Sequence, residues 1–246
     1  MKTMLVLSMG ALLLAGTLSA QTPVPEWQAG VDKMKSLIQT NPAQASEEVG
    51  ELLKGKNKKN VDLVTSVAHV YLDAGKLTEA QEYLAMAKKA DNKDPKVSVL
   101  EGDIALAQKN IGQACQLYEQ AIYFDPNCKE AYLKYAQAYK SASPALAIEK
   151  LEQLKTVDPN CLEADRELAE VYYSSNRFGK AAEMYAKFID TPLATEDDML
   201  KYAFALFLNH DFEKSLQVAQ KGLQKNARHA AFNRLVMYNN TDLKRY

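Results

Sequence analysis

Histidine, cysteine, tryptophan and glycine are scarce in this chain of 246 residues, which has three, three, one and ten of them respectively. His69, His210 and His229 are scattered, and there is no His-His or His-Glu pair on one helix face and no Cys-x-x-Cys. A metal site therefore has no basis in the sequence. Apart from Gly10 and Gly16 near the start, the glycines are isolated, so no loop is built to cradle a phosphate. A dominant sign of charge is also missing. With 30 basic and 31 acidic side chains, no overall field draws the chain to nucleic acid or to an anionic membrane. Carboxylate pairs such as Glu47-Glu48 and Asp197-Asp198 fall at helix starts, where the helix dipole favours them. The expectation is no catalytic residue, no metal, no cofactor and no enzymatic activity. A content of 47% hydrophobic and 25% charged residues excludes general disorder.

Long apolar runs are missing too, with one exception. Met1-Lys2 gives a positive start, Met4 to Ala15 is almost purely apolar, and Leu18-Ser19-Ala20 offers small residues for cleavage. A dozen residues are too few to span about 30 Å of hydrocarbon as a helix. Residues 1–20 read as a secretory signal peptide, the alternative being an uncleaved apolar anchor. Gln21 stands where a lipoprotein signal needs cysteine, so lipidation is not expected. The expected location is a bacterial periplasm, in soluble form, with no membrane insertion once the signal is cleaved.

What is present is a period. Leu77-Thr78-Glu79-Ala80, Ile111-Gly112-Gln113-Ala114, Phe178-Gly179-Lys180-Ala181 and Phe212-Glu213-Lys214-Ser215 share one theme, and small residues recur at 80, 114, 147, 181 and 215. Asp125-Pro126-Asn127-Cys128 returns as Asp158-Pro159-Asn160-Cys161, each time after an amphipathic run. Proline there stops one helix and sets the loop to the next. Tyr132, Tyr135, Ala136 and Tyr139 keep helical spacing between those marks, so each period reads as helix, turn, helix. Cys128 and Cys161 occupy equivalent places on neighbouring hairpins about 10 Å apart. That separation exceeds the roughly 7 Å limit for a bridge, so buried free thiols are expected.

A helix-turn-helix of 34 residues, with Ala early in its second helix and Asp-Pro at its end, resembles the tetratricopeptide repeat. The bulky residue expected early in the first helix is Val64, Ser98, Tyr132, Asp165 and Met199 in turn, so the signature is degenerate. The resemblance implies an all-α fold, a right-handed superhelical solenoid of antiparallel helix-turn-helix hairpins. The expected organisation is a degenerate capping hairpin at 21–60, five repeats at 61–229 and, at 230–246, the first helix of an incomplete repeat. Ser46 continues the series of small residues into the first hairpin, Asn41 and Pro42 start its second helix, and the lysine-rich Lys54–Asn60 reads as a solvated loop.

In proteins similar to this one, the first helices of successive repeats line a concave groove that receives a peptide or partner helix. By that analogy the partner-binding face carries Leu133, Gln137, Arg166, Glu170, Tyr173, Leu200, Phe204, Phe207 and Leu208, with Thr65, His69, Val99 and Asp103 on the same side. Met199 to Leu208 is apolar except for Lys201. Such a helix is either covered by further structure or is a binding patch. The functional expectation is a periplasmic scaffold or adaptor that binds partner proteins or peptides. The alternative is a recognition segment of a longer protein with a catalytic or membrane domain beyond residue 246.

Overall fold

The computed structural model describes residues 24–244. The expected signal peptide and the last two residues lie outside that range. Among the described residues there are thirteen α-helices and no strand. They run α1 Gln28–Leu37, α2 Pro42–Leu52, α3 Val61–Asp73, α4 Leu77–Ala90, α5 Pro95–Ala107, α6 Ile111–Phe124, α7 Lys129–Tyr139, α8 Pro144–Val157, α9 Leu162–Ser174, α10 Phe178–Phe188, α11 Glu196–Leu208, α12 Phe212–Lys225 and α13 Ala230–Asp242. Each odd-numbered helix up to α11 packs antiparallel on the helix after it, and the hairpins stack in chain order. This is an all-α solenoid.

The turns repeat as faithfully as the helices. Asp91, Asp125 and Asp158 follow the ends of α4, α6 and α8, and each carboxylate accepts the backbone N–H two residues on, at 2.9, 2.9 and 3.2 Å. Within four hairpins, the second residue after the first helix takes a left-handed conformation, at Gly75, Lys109, Asn176 and His210 (φ +74°, +64°, +58° and +62°). That conformation caps the helix and reverses the chain. The hairpin of α7 and α8 lacks it. There Ser143 N–H bonds directly to Tyr139 O at 2.7 Å, and the step from Ala114 to Ala147 is 33 residues where its neighbours are 34.

Close packing explains the small residues. Ala80, Ala114, Ala147, Ala181 and Ser215 are each fully buried where the second helix meets the first. Replacing Ala181 with leucine is expected to destabilise the protein by about 1–3 kcal/mol, because interiors are packed to crystal density. Chemical denaturation checks this, with Lys180→Leu, at an exposed neighbour, as the control. Two glycines serve the same end. A Cβ on Gly102 would lie 2.5 Å from the Tyr118 ring, and one on Gly222 would lie 2.6 Å from Phe232.

Four expectations need correction at the residue level. Glu47-Glu48 lies in the middle of α2, whose first turn holds no acidic residue, and of the two carboxylate pairs only Asp197-Asp198 sits at a helix start. In the first hairpin the buried small residue is Ala45, while Ser46 is exposed and bonds to Pro42 O. The lysine-rich segment is not an open loop. Gly55–Lys59 forms a 3-10 helix, pinned by Asn57 Nδ2 donating to Leu52 O at 2.9 Å. The thiols are free, but only Cys115 and Cys161 are buried, Cys128 being half-buried. Burial pushes all three thiols up, Cys115 to about 11.

The degenerate signature position keeps its burial while its chemistry changes. Val64, Ser98, Tyr132, Asp165 and Met199 are all buried. Asp165 is tolerated because Lys155 Nζ and Lys187 Nζ donate to its two oxygens at 2.8 and 3.1 Å. A buried carboxylate with cationic donors on both oxygens escapes most of its desolvation penalty.

First helices pack on first helices: α1 on α3, α3 on α5, α5 on α7, α7 on α9 and α11 on α13. Second helices are spread apart. The stack therefore curves with its first helices on the inner face.

Candidate functional site

One residue per first helix from α3 onward marks the midline of that inner face: His69, Asp103, Gln137, Glu170, Phe204 and Tyr238, each 33 or 34 residues from the last. Its chemistry changes along the stack. From α3 to α9 the midline is polar and internally bonded, and on α11 and α13 it is aromatic.

Asp103 is the most enclosed of the polar members. Its carboxylate accepts from Tyr118 OH at 2.7 Å and Lys134 Nζ at 2.9 Å, and meets His69 Nε2 at 3.1 Å. It joins α3, α5, α6 and α7. Burial alone would raise its pKa, but the contacts with His69, Lys134 and Tyr118 outweigh burial and hold it below the ordinary carboxylate value. Glu170 repeats the arrangement two hairpins later, with Tyr185 OH at 2.8 Å and Lys201 Nζ at 2.9 and 3.0 Å. All three members recur at a spacing of 67: Asp103 and Glu170, Tyr118 and Tyr185, Lys134 and Lys201. Both tyrosines are fully buried, and burial first, then the facing carboxylate, pushes their pKa values up.

Further bonds tie neighbouring first helices. Lys96 pairs with Asp62, Lys129 Nζ reaches Glu163 at 2.9 Å, and Gln137 Nε2 donates to Glu167 at 2.8 Å. Arg166 reaches Asp198 at 3.0 Å. Asp198 is buried and also completes a capping box with Thr195 at the start of α11.

The expected partner-binding residues therefore divide. Gln137, Arg166 and Glu170 lie on the inner face but are engaged in bonds between helices. Leu133 is half-buried against the core, and Tyr173 sets its ring 5.7 Å from Phe178, edge to face. Thr65, Val99 and Asp103 are buried between successive first helices. On α11, Met199, Ala203, Ala205 and Leu206 are buried, Leu200, Phe204 and Phe207 are half-buried, and Leu208 is 44% exposed. Part of the cover on this helix comes from α13. Phe232 and Leu235 close one cluster with Met199, and the Tyr238 ring lies 6.2 Å from Phe207. Tyr238 and Met237 remain 44% and 55% exposed beside it.

The sequence reading missed Tyr118, Tyr185, Lys134 and Lys201. Its available signal was Leu-Lys-Tyr-Ala, which occurs at 133–136 and again at 200–203. Among the described residues no group of three or more His, Cys, Asp or Glu is placed to hold a metal, and no helix is long and apolar enough to cross a membrane.

The sequence model of the tetratricopeptide repeat family matches residues 65–127 and 137–194. No curated protein matches the sequence. Among solved structures the chain is similar in fold to PilW, a type IV pilus biogenesis factor, with 16% identity, a TM-score of 0.64 and coverage of 85% of this chain and 97% of that one. It is likewise similar to Pseudomonas aeruginosa pilF, at 16% identity and TM-score 0.61, covering 84% and 95%. YrrB, a repeat protein described as having an unusual peptide-binding site, shows 14% identity and TM-score 0.55 over 75% of this chain and 95% of that one.

Proposed function

Because the chain belongs to the tetratricopeptide repeat family, we propose that it is a scaffold, not an enzyme, that holds a partner protein or peptide on the inner face of its solenoid. One observation carries the reading: the midline switches from self-bonded polar groups to apolar side chains at Phe204 and Tyr238, flanked by Leu200, Phe207 and Leu208. A polar group already bonded within the protein has little to offer a partner. Half-exposed aromatic and aliphatic side chains gain about 25 cal/mol for each Å² of apolar surface covered. The partner is therefore expected to bury an apolar segment against α11 and α13. The export-like residues Met1–Ala20 support a further element of the proposal, that this scaffold works in soluble form in a bacterial periplasm.

The test uses two substitutions. Leu208→Asp alters an exposed side chain and is expected to change stability by no more than about 0.5 kcal/mol. Phe204→Asp reaches deeper into the same patch. Both variants, immobilised beside the parent chain, should lose the partner that the parent retains. Retention by a correctly folded Leu208→Asp and by Phe204→Asp would sink the assignment. N-terminal sequencing of the mature protein tests the export element separately.

A further inference from the structure

The inner face has a second feature at its other end. Residues 24–27, ahead of α1, cross to α3, and Trp27 walls a cavity of about 280 Å³ with Asp62, Ser66, His69, Lys96 and Glu130. These groups come from the N-terminal segment and from α3, α5 and α7, so the cleft depends on the stacking of three hairpins. Most of its donors are already used. Ser66 Oγ donates to Asp62 O at 2.7 Å, Thr65 Oγ1 to Val61 O at 2.8 Å, His69 is held by Asp103, and Lys96 is held by Asp62. Glu130, by contrast, is an exposed carboxylate with no bonded partner among the described residues. The field on Lys96 agrees with this count. Its bond with Asp62 raises its pKa against burial, and the charges of Asp62, Asp94 and Glu130 add to the rise.

We propose that this cleft binds a cationic side chain, arginine in preference to lysine, from an extended segment of a partner protein. Its one ammonium is paired with Asp62, the Glu130 carboxylate, which makes no hydrogen bond or ion pair of its own, stands on one side, and an indole forms the wall. A cation over an indole face is attracted by the ring quadrupole. A planar guanidinium can stack there and still donate in its own plane to a carboxylate, which a lysine ammonium cannot do. The proposal rests on the inner face being a binding groove, and it gives that groove a polarity. A partner chain places its cationic residue near Trp27 and its apolar residues near Phe204.

Trp27 is the sole tryptophan, so its fluorescence reports on the cleft directly. The probe is an acetylated, amidated Gly-Arg-Gly peptide, compared with its citrulline analogue, which keeps the planar shape and loses the charge. Saturable quenching by the arginine peptide is expected, with the citrulline peptide weaker by about tenfold or more. Glu130→Gln, at an exposed and unbonded site, should weaken arginine binding about fivefold without shifting the melting temperature. Calorimetry on Trp27→Leu should show binding lost. Equal binding of the two peptides, no saturable signal, or an unchanged Glu130→Gln would overturn the proposal. Phe204→Asp separates the two readings, since it removes partner retention but should leave the probe's affinity intact. A chain that retains its partner yet ignores the probe refutes the cation site alone.

Discussion

Phe232→Ala is expected to release α13 from the solenoid while the earlier hairpins stay folded. Phe232 is fully buried, its ring fills the hollow over Gly222, and Leu235 is the other fully buried apolar anchor of that helix. Truncating a buried phenylalanine costs about 3–5 kcal/mol. A solenoid distributes such a loss unevenly, because each unit is held only by its neighbours. The loss falls on the docking of α13 to α11 and α12. Amide exchange in α13 should rise toward the unprotected rate, with protection in α3 to α8 unchanged. Leu200, Phe204 and Phe207 lose part of their cover at the same time, so binding of an apolar dye should increase. Gly222→Val pushes on the same ring from the other side and should give the same pattern. Uniform loss of protection through all the helices would show that the hairpins do not act as separate units.

The second large effect is expected at Asp103. Asp103→Ala leaves the Tyr118 hydroxyl buried with no acceptor, whereas Lys134 and His69, each about a third exposed, can turn to water. The orphaned hydroxyl dominates, and the expected loss is about 3 kcal/mol. Tyr118→Phe in the same background should recover a substantial part of it, which a double-mutant cycle measures. The acid dependence follows from the direction of the shift. A carboxylate held below its unfolded value of about 3.9 contributes stability above that pH and loses it as pH falls through the lower, folded value. The parent should therefore weaken below about pH 4 more steeply than Asp103→Asn, which has no charge to lose. Parallel acid limbs for the two proteins would contradict this.

The period of the hairpins was legible in the sequence because it is enforced by sterics. Only a small side chain fits at Ala80, Ala114, Ala147, Ala181 and Ser215, whatever surrounds it. The first hairpin was placed one residue out of register, at Ser46 in place of Ala45. With α2 eleven residues long, against fourteen in α4, α6, α8 and α12, and followed by a 3-10 helix, extrapolating the spacing had no local check. Asp165 read as a failed signature because a sequence does not show that Lys155 and Lys187, ten and twenty-two residues away, converge on it. The apolar excess of α11 was visible, but not that α13 shields part of it. The bonds of Asp103 and Glu170 were hidden for a related reason. Tyr118 and Lys134, like Tyr185 and Lys201, lie fifteen to thirty-one residues from their carboxylate in the chain, and only the fold sets them within about 3 Å of it.

The 67-residue recurrence of that carboxylate, tyrosine and lysine sets how the chain can be cut and rejoined. At one recurring position, Lys134 of α7, Glu167 of α9 and Lys201 of α11 bond back to Asp103, Gln137 and Glu170 of the preceding first helix. Excising one hairpin after α6 would bring Glu167 against Asp103, carboxylate to carboxylate, although the helical frame would close without a gap. Excising two would bring Lys201 there and restore the pairing. Hairpins are the modules of shape in this protein, but the pairing of carboxylate with tyrosine and lysine repeats only over pairs of hairpins.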